Sequence, residues 1–259
     1  MTVTTAEIMT WLGAFFWPFM RVGAMMLAAP VLGDQQVSVR IRLLVAVALT
    51  IGVMPAAGLA PEVAPLSAEG LMISLQQVVI GMAMGLLAGM ALQSASIAGE
   101  IVALSMGLGF ANMVDPVTGQ STPVVSQFLI VTATLLFLTM GGHLMLIELL
   151  AESFRVVPVG TEGLASQEFR TIAGWGAQMY AGAVLIALPA VVLLLLVYLA
   201  LGVMTRAAPQ MNIFSVGFPV TMLVGYLALM TLVLPSLPGR MAALWSEAFN
   251  GIGALLGMN

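Results

Sequence analysis

No charged residue interrupts the chain between Arg170 and Arg206, and none between Arg206 and Arg240. About 20 consecutive apolar residues are enough to cross the hydrocarbon core of a bilayer, so windows of this kind restrict the fold before any motif is considered. The composition points the same way. The chain is 61% hydrophobic and 7% charged, where soluble domains carry roughly 45–50% apolar and 25% charged residues. Too few polar side chains exist to coat a water-soluble core, so the surroundings must be lipid or other apolar protein surface. The fold class is an all-α integral membrane protein.

About six hydrophobic helical segments are expected. The first covers about 11–32 and carries Arg21 near its middle; a short polar connection follows over 33–42. The second, about 43–60, is interrupted by Pro55. After a linker over 61–70 the third runs through 71–99. A Gly/Pro-rich stretch occupies about 105–123. The fourth segment, expected as one span, covers about 124–150, and a mixed-charge connection fills 151–171. The last two cover about 174–203 and 217–237, with an amphipathic tail after Pro238. The first apolar run has no basic residue before it, unlike a secretory signal peptide, and is expected to be retained. The arginines are divided too evenly among the connections to set the orientation. No internal repeat of the kind found in secondary transporters is visible.

Several functions are excluded by inventory. All seven basic residues are arginine against eleven acidic ones, so no basic face exists to neutralise nucleic-acid phosphates. The absence of cysteine and the single histidine, His143, leave no thiolate chemistry and no site needing two imidazoles. No cofactor and no catalytic or metal site is expected, and an enzyme is the weakest reading.

Four features remain. Gly81, Gly85 and Gly89 recur every fourth residue, which on a helix makes one face that a neighbouring backbone can approach closely; the neighbour is either within the chain or in another subunit. Gln76, Gln77 and Gln93 bracket this stripe and need protein partners. Twenty-one methionines supply flexible thioethers that fill irregular gaps. The stretch SMGLGFANMVDPVTGQSTP (105–123) has Gly and Pro enough to forbid a continuous helix, yet it is mostly apolar and lies between long apolar segments. Irregular backbone is not tolerated against lipid, so it is either a loop outside the bilayer or a loop folded into a pore or interface. Arg21, Glu100, His143, Glu148 and Arg206 lie within or at the ends of apolar segments, where ionisable groups are paired or face a polar cavity. His143 and Glu148 point about 140° apart on a helix, which argues against a proton relay.

The stretch RAAPQMNIFSVGFP (206–219), following ALPAVVLLLLVYLALGVM, resembles the signature of the FliR/SctT family of type III secretion export-gate subunits. Three further stretches resemble the same family in the same order: RVGAMMLAAPVLG followed by VRIRLLVAVALT (21–50), SMGLGFANMVDPVTGQSTPVVSQF (105–128) and GGHLMLIELLAESFRVVPVG (141–160). The resemblance covers nearly the whole chain. One departure is Tyr198, where the family often has Asn.

The resemblance implies one export-gate domain over 1–259. It comprises N-terminal helical hairpins over about 1–104, a plug-like loop over about 105–123 and C-terminal helices over about 124–259. It implies a structural, pore-forming subunit in the bacterial inner membrane, at the flagellar basal body. That subunit assembles with FliP and FliQ, contacts FlhB and membrane lipid, and passes unfolded flagellar proteins as transient cargo. The plug would involve Met106, Gly107, Gly109, Phe110, Met113, Asp115, Pro116 and Gly119. Packing or subunit contacts would involve Gly81, Gly85, Gly89, Arg206, Pro209, Gln210, Asn212 and Phe214. Arg21, Glu100 and Glu148 are the embedded charges. Two alternatives are an SctT-type injectisome subunit and a proton-coupled small-molecule transporter, which would lose substrate coupling when Glu100 and Glu148 are neutralised.

Overall fold

The computed structural model describes residues 5–34, 37–58, 61, 63–108, 124–161, 163, 166–208 and 213–258. All regular structure among them is helical: α1 (Thr5–Ala28), α2 (Val39–Ala57), α3 (Ala68–Ser105), α4 (Val124–Thr139), α5 (Gly142–Val156), α6 (Ser166–Ala207), α7 (Ile213–Ala228), a π-helical turn (Leu229–Val233) and α8 (Leu234–Leu255). Four helical stretches among the described residues are long and apolar enough to cross a membrane, and the bent pair α4–α5 makes a fifth if taken as one. The protein is a multi-pass, all-α membrane protein.

Capping sets the helix limits more closely than hydropathy does. The Ser38 hydroxyl accepts from the Ile41 amide at 3.4 Å and starts α2, and Ser67 accepts from the Gly70 amide at 3.0 Å to start α3. A side-chain oxygen at this position satisfies an amide that the helix itself leaves free. Pro55 does not interrupt α2 as expected; it sits in the last turn, and the helix ends at Ala57 beside Gly58, whose φ is +70°. α3 outruns its expected limits at both ends. Ser96 is accommodated inside: the Ser126 hydroxyl donates to the Ser96 carbonyl across to α4, and the two hydroxyls lie 3.1 Å apart.

Two expected boundaries are corrected. The fourth apolar segment is not one straight helix, for it bends by 62° between Thr139 and Gly142. Gly141 adopts a left-handed φ of +75°, a conformation cheap only without a Cβ, and a Cβ on Gly142 would strike the Phe137 ring. The last segment does not stop at Pro238 to leave a separate tail. The helix continues through Pro238 to Leu255, preceded by the π-turn. Pro235 cannot donate to the carbonyl four residues back and its ring would crowd that carbonyl. Local widening into i→i+5 bonding is the common accommodation.

The chain forms two compact units. The first comprises Met1–Met90, Phe137–Gly176 and Trp245–Asn259, the second Ala91–Leu136 and Ala177–Leu244. In the first, Trp17, Met25, Ile80, Met84, Leu87 and Phe154 are buried; in the second, Ala95, Met106, Leu129, Leu194, Val233 and Leu237. Leu195, Leu196, Leu199 and Val203 of α6 remain exposed, an apolar face of the sort that lipid or a partner covers.

Within the second unit a Cβ on Gly99 would collide with the Ser126 backbone. Gly99→Leu is therefore expected to force α3 and α4 apart and to destabilise the protein by about 2 kcal/mol, in the range of overpacked cores. A fall in the detergent melting temperature, absent in Gly52→Leu where a Cβ meets nothing within 4 Å, checks this.

Candidate functional site

Three of the residue groups singled out above fall on described residues: the buried arginine, the glycine stripe and the start of the central loop. Arg21 is fully buried in the first unit. Its Nε donates to Gln77 Oε1 at 2.9 Å, Nη1 to the Ser153 carbonyl at 2.9 Å and hydroxyl at 3.0 Å, and Nη2 to the Val157 carbonyl at 2.9 Å. The guanidinium carbon also lies 4.2 Å from the centroid of the Phe154 ring. These partners are neutral. Ser153, Phe154 and Val157 belong to the end of α5, where unpaired carbonyls carry the negative end of the helix dipole. The cation on α1 thus caps α5 and ties both helices to α3 through Gln77. The planar fork of five donors suits this task, and an ammonium does not reproduce it. Among the described residues Gln77 Nε2 is buried without a partner, and the amide is held by its oxygen.

The stripe seats α1 on α3. A Cβ at Gly81 would collide with the Arg21 carbonyl and one at Gly85 with the Met25 carbonyl, and one at Gly89 would lie 2.8 Å from the Ala28 carbonyl. Both series ascend together, so the two helices run parallel along the seam, within one chain. The seam delivers Arg21 to Gln77, one turn before Gly81. Gln76, on the adjacent face, donates to the Thr161 carbonyl, whereas Gln93 is exposed.

The central loop leaves α3 through a closed turn. The Leu108 amide bonds the Ala103 carbonyl and the Gly107 amide the Leu104 carbonyl, each at 3.0 Å, with Gly107 at φ +84°. This is the Schellman arrangement, which uses two carbonyls that the helix end would otherwise leave unpaired. The next two carbonyls are met by side chains of the second unit: Tyr198 of α6 donates to Ser105 at 2.9 Å, and Thr221 of α7 donates to Met106 at 3.3 Å. Met106 is buried with its side chain against Gly225, where a Cβ would strike it, and a Cβ on Gly107 would lie 3.4 Å from the Phe218 ring. Tyr198, a departure from the family pattern, thus supplies a polar contact of its own. The sequence marked Tyr198 only as a departure and Thr221 not at all, since a hydroxyl aimed at a distant carbonyl has no local signature.

The other expected site residues are dispersed or outside the description. Glu100 is half-buried on α3, Glu148 is exposed on α5, and Arg206 is exposed in the last turn of α6. Gly109, Phe110, Met113, Asp115, Pro116, Gly119, Pro209, Gln210 and Asn212 lie outside the described residues, as does the side chain of Phe214. Among the described residues no group of three His, Cys, Asp or Glu side chains is placed to hold a metal ion.

Two outcomes follow from these bonds. Arg21→Met should cost about 3 kcal/mol, because it strips donors from buried acceptors; detergent melting of Arg21→Met and Arg21→Lys should show only partial recovery with lysine. Tyr198→Phe should cost about 1 kcal/mol and speed hydrogen exchange at the Gly107 and Leu108 amides, while exchange in α1 stays unchanged.

Comparison with known proteins accounts for the arrangement as a whole. Residues 12–248 match the family model described as bacterial export proteins, family 1. The flagellar biosynthetic protein FliR of Escherichia coli (strain K12) is 39% identical over 96% of this chain and 94% of its own length. The protein of the same name from Pectobacterium carotovorum subsp. carotovorum is 38% identical over 99% of this chain and 97% of its own. The seam of glycines, the capped α5 and the closed turn ahead of the central loop are therefore features of a chain that belongs to the bacterial export proteins, family 1, alongside the flagellar FliR proteins.

Proposed function

We propose that this subunit of the flagellar export apparatus is a structural, pore-forming component of the export gate in the bacterial inner membrane. It assembles there with FliP and FliQ, contacts FlhB, and passes unfolded flagellar proteins. The observation that carries the reading is the extent of the likeness: relatives named FliR align with this chain over nearly their whole length, so no large part of it is left for another activity. The chain acts as part of a conduit and not as an enzyme.

The physical features fit that role. Exposed apolar side chains along α6 offer area for neighbouring subunits or lipid. The central loop leaves from a helix end whose carbonyls from Ala103 to Met106 are met, which fixes its origin while the chain beyond closes the pore. Phe110 and Met113 act as apolar seals and Asp115–Pro116 shapes the turn. Pro209, Gln210 and Asn212 join Arg206 at a subunit contact. The embedded charges serve packing and assembly.

Co-expression with FliP and FliQ of the same organism, followed by tagged purification and native mass measurement, should return a single complex holding one copy of this chain. Its recovery alone and monodisperse would overturn the assignment. Deleting residues 109–121, which leaves the Gly107–Leu108 turn in place, should make the assembled gate leak ions; unchanged membrane conductance in an intact mutant complex would remove the plug.

A further inference from the structure

Beside the glycine seam, and wholly within the first unit, α1, α2 and α3 enclose a groove of about 410 Å³. Its lining is apolar except for one charged residue, Arg42. Three of its walls are the thioethers of Met20, Met26 and Met82, which adapt to an irregular, flexible guest. Leu43, also lining it, is exposed, as are the neighbouring Ile41 and Leu44 of α2, so the groove continues onto an open apolar helix face.

Arg42 stands at the place where such a guest would need a charge. It lies in the first turn of α2, a helix long and apolar enough to span a membrane. The first turn of a spanning helix meets the headgroups. Its Nη2 is fixed by the Asp34 and Val37 carbonyls at 2.8 and 3.4 Å, while among the described residues its Nε is buried with no acceptor. Arg40 is exposed on the same turn, and no acidic residue occupies it. Two cations at a helix N-terminus oppose the helix dipole and suit an anion.

We infer that the α1–α2–α3 groove is a binding site for one anionic phospholipid, with an acyl chain between Met20, Met26 and Met82 and the headgroup phosphate on Arg42. The charge decides between occupants. An apolar helix of a partner would leave Arg42 and Arg40 without a counter-charge, whereas a phosphate complements both.

The full chain, purified in mild detergent and exposed to mixed micelles containing phosphatidylglycerol or phosphatidylcholine, is examined by native mass spectrometry for retained lipid. One retained phosphatidylglycerol per chain is expected, preferred about fivefold over phosphatidylcholine, the factor one basic group contributes near an anionic surface. Arg42→Gln should abolish the preference and Arg42→Lys should keep it. Gly23→Phe should abolish retention of both lipids, because Gly23 lines the groove and a Cβ there meets nothing within 4 Å; unchanged melting verifies its fold. Failure of the native chain to retain lipid, or equal retention by Gly23→Phe, would overturn the site. So would loss of the lipid on assembly with partner gate subunits, which would assign the groove to a protein neighbour.

Discussion

A chain this apolar has little water to lean on, so its polar groups must find one another. That constraint on hydrogen bonding orders the rest of the structure. The most demanding case is Arg21. Burying a cation costs several kcal/mol unless its donors are met, and here they are met by an amide oxygen, a hydroxyl and two carbonyls at the end of α5. The bond to the Val157 carbonyl serves two purposes, solvating the guanidinium and giving a donor to the carbonyl just past the end of α5. The glycine seam then follows as a geometric condition. Without close approach of α1 to α3, Arg21 would not reach Gln77, and the same backbone contact forbids a side chain at Gly81 or Gly85.

The same economy governs the second unit. At the end of α3 the carbonyls of Ala103, Leu104, Ser105 and Met106 accept from Leu108, Gly107, Tyr198 and Thr221 in turn. The donors come from the turn itself and from α6 and α7, and they converge on the last turn before the central loop. Ser96 and Ser126 repeat the device between α3 and α4. Small residues and hydroxyls do here what large apolar side chains do in a soluble core, because helices in an apolar medium associate through close packing and interhelical hydrogen bonds.

Much of this was legible beforehand. Long uncharged windows located the helices, and the four-residue spacing of glycine located a seam, because both are periodic and local. What covers the seam was not legible, since spacing names a face and not its partner. The bend at Gly141 was hidden because the residues on both sides are apolar and hydropathy does not register a left-handed glycine. Continuation through Pro238 was missed for the opposite reason: proline reads as a helix stop, yet here the helix carries Pro238 in its interior. Tyr198 was marked as a departure from the family's Asn, with no partner named for it; its hydroxyl finds the Ser105 carbonyl. Arg21 stood out as embedded, whereas its neutral partners could not be foreseen, because main-chain acceptors leave no mark on composition. The interior of the central loop lies outside the described residues, and its expected contacts rest on the family likeness.

The π-turn also settles a problem of phase. Buried residues recur at Gly225, Leu229, Val233, Leu237 and Met241, four apart each time. In an unbroken α-helix that spacing advances about 40° per step, so by Met241 the row would have wound nearly to the opposite side. One residue taken up by the wider turn sets the register back by about 100°. The helix thereby keeps a single inward edge along a length over which regular geometry would have turned that edge outward.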